Sequence, residues 1–219
     1  MSQLLIATNN PGKLVEFERL LAGCGWELVT PAQLNLALPD DEPGETYEAN
    51  AKIKALNGAR ASGLVTLADD SGLEIDALDG GPGARSARFL GEDAGYEERF
   101  ARILGEMAEL PSEKRWARFR CVIALAEPGL PAGRQGSEEV RLCEGEVRGL
   151  IAFEPRGEQG FGYDPIFYLP QQARTMAELP SYMKDVISHR GRAAARARPL
   201  LKELLYERRS RADTAGQPL

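Results

Sequence analysis

Apolar and polar residues alternate in blocks along the first third of the chain. Residues 4–7 are apolar throughout, which is typical of a buried strand. Residues 13–22 place apolar side chains three or four positions apart and predict a helix. Residues 27–30 predict a second short strand, and 46–61 predicts a helix that Gly63 ends. The apolar face expected for this second helix consists of Ala49, Ile53 and Leu56.

The middle of the chain changes to patterns that are typical of strands. Residues 64–68 predict a buried strand that ends in a turn at 69–72, Asp-Asp-Ser-Gly. After a helix at 97–107, residues 117–126 alternate between apolar and polar positions. With an extended segment at 139–147 they predict an antiparallel hairpin whose Pro/Gly-rich tip is long and exposed. Alternating strands and helices followed by a hairpin favour a mixed α/β fold.

The C-terminal part has a helical pattern. It begins at Ser181, and we expect Pro199 to kink or split the helix. Residues 210–219 are small and polar, and we expect them to be a mobile tail. Residues 1–209 are then a single domain.

Composition narrows the classes of function. The chain has 219 residues, a net charge of −6 and a pI near 5.1, so it lacks the positive field that nonspecific nucleic-acid binding needs. No run of about 18 apolar residues occurs and no signal peptide begins the chain, so we expect no membrane partner and a cytoplasmic location. Three widely spaced cysteines predict reduced thiols.

Residues 7–13, Ala-Thr-Asn-Asn-Pro-Gly-Lys, form the first candidate site. Asn10 suits a helix N-cap and Pro11 the first helical position, so the turn directs backbone N–H groups towards an anion. A lysine at position 13 is unfavourable beside the positive end of the helix dipole unless an anion lies between them. The pattern is not a Walker A loop. The alternative is a surface lysine after a turn.

Acidic residues form the second candidate site. Asp69 and Asp70 follow a buried strand, where paired carboxylates are costly without a cation, and magnesium prefers such ligands. Neighbouring strand residues face opposite ways, so one aspartate is expected to face a cleft. The loop acids at 40–42 are a second source of metal ligands. The alternatives are an Asp-capped turn and a solvated loop.

Two further segments combine glycines, aromatics and cations. In 160–165, Gly-Phe-Gly-Tyr-Asp-Pro, glycines let the backbone approach a flat ligand while a ring stacks on it. Lys184 and the segment 188–191, Ser-His-Arg-Gly, supply donors suited to a purine keto oxygen. The alternatives are an aromatic core turn and a solvated basic face with a structural histidine.

Together, in this order, the four segments closely resemble the inosine triphosphate pyrophosphatase family, the non-canonical purine NTP pyrophosphatases. The matches are Ala-Thr-Asn-Asn-Pro-Gly-Lys at 7–13, Ala-Asp-Asp-Ser-Gly-Leu at 68–73, Gly-Phe-Gly-Tyr-Asp-Pro-Ile-Phe at 160–167 and Ser-His-Arg-Gly at 188–191. The resemblance covers residues 3 to 206. It departs from many members at Ala49, where they carry Glu.

The resemblance implies an elongated mixed β-sheet with flanking helices, two lobes around a nucleotide-binding cleft, and a homodimer. It implies a magnesium-dependent hydrolysis of ITP, dITP and XTP to the monophosphate and pyrophosphate, which cleanses the nucleotide pool. Asp70 would be the catalytic base and a metal ligand, and Asp41 or Glu42 a further ligand. Substrate contacts carried over by position are Thr8, Asn9, Asn10, Pro11, Gly12, Lys13, Ser71, Phe161, Gly162, Tyr163, Asp164, Lys184, His189 and Arg190.

Base selection is expected to depend on the 6-keto oxygen of hypoxanthine and xanthine, because adenine presents an amino donor there. Guanine also carries a 6-keto oxygen, so its exclusion must come from the 2-position. One alternative function is a pyrophosphatase for other damaged bases, such as modified pyrimidines. Another is a non-catalytic nucleotide sensor, which the presence of both Lys13 and Asp70 disfavours.

Overall fold

A mixed seven-stranded sheet forms the centre of the molecule. The computed structural model describes residues 2–39, 44–91, 93–129 and 140–215, with side chains to Ser210. The described strands are β1 (Gln3–Ile6), β2 (Glu27–Val29), β3 (Val65–Ile75), β4 (Trp116–Ala126), β5 (Val140–Ile151), β6 (Phe167–Leu169) and β7 (Arg174–Thr175). The described α-helices are α1 (Pro11–Leu20), α2 (Tyr47–Ser62), α3 (Tyr96–Glu106), α4 (Ser181–Ile187) and α5 (His189–Ala215). The predicted mixed α/β class is confirmed.

The strand order is β2-β1-β3-β4-β5-β6-β7. β1 pairs in parallel with β2 and β3, and every later pairing is antiparallel. The predicted hairpin is confirmed, since β4 and β5 pair from Trp116 with Leu150 to Ala126 with Val140. Most of its predicted tip, at 128–136, lies outside the described residues.

The turn predicted at 69–72 is wrong. β3 continues through these residues, and Asp69, Asp70, Ser71 and Gly72 each pair with a residue of β4. These residues form a strand despite their turn propensity, because both carboxylates have side-chain partners. Asn50 binds Asp70 on one face of the strand, and Lys13 binds Asp69 on the other. The hydrogen-bond ladder therefore continues, and the acids lie in the middle of a long strand.

The first two helices begin where the sequence predicts. The Asn10 side chain accepts a hydrogen bond from Lys13 N at 3.1 Å, and Pro11 is the first helical residue. Thr46 caps α2, and Gly63 ends it at a φ of 69°. The predicted face of α2 is only half-buried. Its fully buried face has smaller side chains, including Ala51, Ala55 and Ala59, which let the helix approach the sheet closely.

The C-terminal helical pattern divides at Ser188 and not at Pro199, which lies within the continuous helix α5. A Cβ atom at Gly145 of β5 would lie 2.2 Å from the carbonyl oxygen of His189. This contact shows how closely the first turn of α5 packs on the sheet. The helix runs to Ala215, and the rest of the predicted tail, 216–219, lies outside the described residues.

Three apolar clusters surround the sheet. One includes Phe17 of α1 and Leu201 of α5 on one face, and a second includes Ala55 of α2 on the other face. The third packs Ile103 of α3 and Phe167 of β6 against the far ends of the long strands. All three cysteines are buried free thiols, as predicted. Among the described residues, no helix is long and apolar enough to cross a membrane.

Candidate functional site

Two adjoining cavities open where α1, the middle of β3 and the start of α5 meet. The first has a volume of about 620 Å³, including its open mouth, and the second about 670 Å³. Both are lined by Asn10, Lys13 and Ala87, so they form one continuous cleft. Predicted site residues that line the first cavity are Asn10, Lys13, Asp70, Ser71, Phe161, Gly162, Tyr163, Asp164, Lys184, His189 and Arg190. Those that line the second are Thr8, Asn9, Asn10 and Lys13.

The start of α1 borders both cavities. The positive end of its dipole therefore faces the second cavity, an arrangement that favours anions. Pro11 and Gly12 line neither cavity. Pro11 begins the helix, and a Cβ atom at Gly12 would lie 2.6 Å from the Phe161 ring, so this glycine lets the ring pack against α1.

The second cavity also receives two polar side chains that the sequence analysis assigned no role. Lys54 and Asn57 of α2 line it. With Asn50 they are spaced four and three residues apart, and so share one helical face. The sequence feature that could have identified Lys54 and Asn57 is a row of polar side chains along one face of an alanine-rich helix.

Asp70 lies at the junction of the two cavities. It is 3% exposed and accepts a hydrogen bond from Asn50 Nδ2 at 3.0 Å. Its Oδ1 atom lies 3.4 Å from Lys54 Nζ. Because Asp70 lines the first cavity and Lys54 the second, the contact between them lies where the two cavities adjoin.

The donor set at this junction fits magnesium. Within the described residues, no group of three His, Cys, Asp or Glu side chains could hold a metal ion. Magnesium does not need one, because it commonly binds one or two protein carboxylates together with substrate phosphates and waters. Asp70 beside an anion-binding helix start supplies that arrangement. The other predicted ligands, Asp41 and Glu42, lie outside the described residues.

Asp69 faces the other side of β3 and is fully buried. It lies 3.1 Å from Lys13 Nζ and 3.1 Å from a guanidinium nitrogen of Arg190. Burial by itself raises the pKa of Asp69, but the charges of Lys13 and Arg190 outweigh it and hold that pKa well below its usual range. Asp69 is therefore ionised at neutral pH.

A second buried ion cluster lies behind the 160–165 turn. Lys184 Nζ contacts Glu16 at 2.7 Å and also Asp164, and Glu16 accepts a further bond from Arg190 at 2.7 Å. Burial raises the pKa of Asp164, and Lys184 only partly opposes this. For Glu16 the two cations outweigh burial and lower its pKa.

The sequence analysis missed Glu16. A single glutamate beside Phe17 on an amphipathic helix looks like an ordinary surface residue, and only the partners brought by α4 and α5 explain its burial. The buried carboxylates around the cleft are Glu16, Asp69, Asp70 and Asp164, and the cations that face them are Lys13, Lys54, Lys184 and Arg190.

His189 stacks on Phe119 with ring centroids 4.6 Å apart. Burial holds the pKa of His189 well below its ordinary value, and Arg190 and Lys184 lower it further, so the imidazole is neutral. Within the described residues, His189 Nδ1 and Arg190 Nε are buried polar atoms without a hydrogen-bond partner. Both residues line the first cavity.

Aromatic rings complete the first cavity. The Phe161 ring centroid lies 5.1 Å from Lys184 Nζ and 5.4 Å from the Arg190 guanidinium. Tyr163 is fixed by a hydrogen bond from its hydroxyl to Ser86 O at 2.9 Å. Gly162 adopts a φ of 65°, which favours glycine in this turn. Tyr96 and Phe119 also line the cavity, although no motif pointed to them.

Comparisons with known proteins agree with this geometry. A model of the Ham1 family matches residues 4–200. The chain is 45% identical over 202 residues to a dITP/XTP pyrophosphatase of Desulforamulus reducens, covering 92% of this chain and 96% of that protein. It is 43% identical over 202 residues to a dITP/XTP pyrophosphatase of Bacillus subtilis, covering 92% and 98%. A solved HAM1 protein from Coxiella burnetii is 40% identical with a TM-score of 0.80, covering 93% of this chain and 100% of that one.

Proposed function

Because this chain belongs to the Ham1 family, we propose that its cleft holds a purine nucleoside triphosphate with the base in the first cavity and the phosphates in the second. The chain is a dITP/XTP pyrophosphatase that hydrolyses non-canonical purine nucleoside triphosphates. The resemblance to the inosine triphosphate pyrophosphatases is thereby confirmed. What remains to be proposed is which residues perform each part of the reaction.

The continuity of the two cavities is the observation that carries this placement. The first cavity combines aromatic rings with the polar side chains of Lys184 and Arg190, which suits a flat heterocycle. The second is bordered by a helix N-terminus, Lys13 and Lys54, which suits a polyanion. A nucleotide spanning both would bring its α-phosphate to the junction, beside Asp70.

Asp70 is the proposed catalytic base. Water attacks the α-phosphorus, Asp70 accepts the proton of that water, and pyrophosphate leaves as the monophosphate forms. Lys13, Lys54 and the start of α1 offset the negative charge that develops on the phosphate oxygens. Thr8, Asn9 and Asn10 hold the phosphates, and Ser71 contacts substrate beside Asp70.

Magnesium is the proposed cofactor. Asp70 would hold it, with Asp41 or Glu42 as a further ligand. When bound, the ion neutralises phosphate charge and lowers the pKa of nearby water.

Base selection is assigned to the polar groups of the first cavity. Arg190 and neutral His189 line the first cavity and are the proposed contacts of a 6-keto oxygen. Lys184 has three N–H donors, of which Glu16 and Asp164 occupy two. Adenine would leave such donors unpaired, at a cost of about 1–3 kcal/mol for each buried group. Phe161, Gly162, Tyr163 and Asp164 frame the base.

We further propose that residues 1–209 form a single domain of two lobes around this cleft, and that two copies form a homodimer. Sedimentation equilibrium tests the second point, because a homodimer has twice the 23.9 kDa mass of the chain.

The decisive experiment measures pyrophosphate release from ITP, dITP, XTP, GTP, ATP and dUTP, with magnesium and with EDTA. We expect magnesium-dependent release confined to ITP, dITP and XTP, and its loss in Asp70→Asn with nucleotide binding retained. If ATP were hydrolysed as fast as ITP, the base-selection argument would be contradicted, but the proposed phosphate chemistry would not. Full activity of Asp70→Asn would show that Asp70 is not the catalytic base.

A further inference from the structure

Asp69 lies beneath the cleft and lines neither cavity, although it directly precedes the proposed catalytic base. It is 1% exposed. One of its oxygens, Oδ2, lies 3.1 Å from Lys13 Nζ and 3.1 Å from Arg190. Lys13 lines both cavities and is a proposed phosphate ligand, whereas Arg190 lines only the first cavity, the proposed base end. A single buried oxygen atom therefore joins the two ends.

Further contacts restrict this oxygen. The Ser71 hydroxyl donates to Oδ2 at 3.2 Å, and the same hydroxyl accepts a bond from Arg190 at 2.8 Å. Glu16 holds the other end of the guanidinium at 2.7 Å. Arg190 is held on one side by Glu16 and on the other by Asp69. Movement of Asp69 towards Lys13 would therefore weaken the Asp69–Arg190 bond, and movement towards Arg190 would weaken the Asp69–Lys13 bond.

We propose that Asp69 is a positioning residue that couples base recognition to phosphate binding, by holding Lys13 and Arg190 on the same carboxylate oxygen. This inference rests on the function proposed above. A base that engages Arg190 fixes the guanidinium, and through Asp69 it fixes the ammonium of Lys13 on the phosphates. A base that displaces Arg190 also disturbs Lys13, so poor base fit lowers the rate of the chemical step as well as affinity.

A purely structural role gives a different result. If Asp69 only neutralises buried cations, its removal lowers the stability of the fold but changes neither half of the site specifically. If it serves Lys13 alone, only phosphate binding weakens. These roles are separated by measuring the two halves of the ligand independently, with inosine, which carries no phosphate, for the base end and inorganic pyrophosphate for the phosphate end.

The test is calorimetric titration of wild-type protein and Asp69→Asn with inosine and, separately, with pyrophosphate in magnesium. We expect both affinities to fall about tenfold in the variant, since each cation loses a charged hydrogen-bond partner. Glu74→Gln is the matched control. It removes another carboxylate of β3, one that binds Arg118 at 2.5 Å and lies 3.8 Å from Arg120, but that lines neither cavity. We expect it to change neither affinity.

Loss of only one affinity, or of neither, in folded Asp69→Asn would overturn the coupling. If that variant fails to fold, Lys13→Met is compared with Lys13→Met plus Asp69→Asn, in which one buried cation and one buried carboxylate are removed together. The added change should still weaken inosine binding about tenfold. Equal inosine affinities in the two variants would overturn the proposal. Failure of the proposed function would appear instead as wild-type protein that neither hydrolyses ITP nor binds IMP.

Discussion

Single buried side chains determine how this protein responds to pH, and His189 is the clearest example. It is the only histidine in the chain, and burial holds its pKa well below the ordinary value. In the unfolded chain the imidazole titrates near pH 6.5. Below that pH the unfolded state gains a proton that the folded state does not. The contribution of neutral His189 to the free energy of unfolding is therefore present above pH 6.5 and is lost as pH falls below it.

We expect His189 to account for a loss of about 1 kcal/mol in the free energy of unfolding between pH 7.5 and 5.5. Urea unfolding across this range measures it. His189→Phe is the comparison, since it keeps a ring against Phe119 but does not titrate. The raised pKa of Asp164 has the opposite effect, because it increases the free energy of unfolding as pH falls. Asp164 is present in both proteins, so its effect cancels in the comparison. Equal pH slopes for the two proteins would show that folding does not lower the pKa of His189.

At the scale of secondary-structure elements, the sequence predicted positions well wherever a local rule applies. Asn10 with Pro11, and Thr46 with Gly63, mark helix ends because capping depends on neighbouring backbone atoms. The middle of β3 could not be predicted in this way. Asp69 and its neighbours favour a turn locally, and only partners distant in sequence make a strand possible.

The same limit applies to the candidate site. The motif residues were found because their types are unusual in sequence, such as a lysine in the first turn of a helix. Glu16, Phe119 and Tyr96 are ordinary residues in their own segments. Their place in the cleft follows from how α1, β4 and α3 pack, and this packing is not visible in local spacing.

The packing of α5 on β5 gives a prediction for an element. A Cβ atom at Gly145 would lie 2.2 Å from His189 O and 2.4 Å from Ala193 N, so Gly145→Ala must push the first turn of α5 away from the sheet. We expect a loss of about 1–3 kcal/mol in unfolding free energy. We also expect weaker IMP binding, because that turn carries both His189 and Arg190.

Gly105→Ala is the control for this change. Gly105 lies in α3, and a Cβ atom there meets nothing within 4 Å. The substitution should therefore be neutral or stabilising by up to about 1 kcal/mol. Urea unfolding and IMP titration of both variants test the pair. If the Gly145→Ala protein is destabilised but binds IMP normally, the first turn of α5 has kept its position and our explanation of the destabilisation is wrong.

At the scale of the whole molecule, the cleft is lined by members of two apolar clusters, Phe119 and Tyr163 of one and Ala7 of another, so a ligand that fills it should stabilise more of the fold than its own contacts. Asp70→Asn allows this to be measured without hydrolysis. A ligand at one hundred times its Kd adds about 2.7 kcal/mol, which corresponds to a rise in Tm of about 5–10 °C for a chain of this length. We expect that rise with ITP and magnesium, and a smaller one in EDTA. ATP at the same concentration should give little change, because its 6-amino group leaves the donors of the first cavity unpaired. Equal Tm shifts for ITP and ATP would place base discrimination in the chemical step and not in binding.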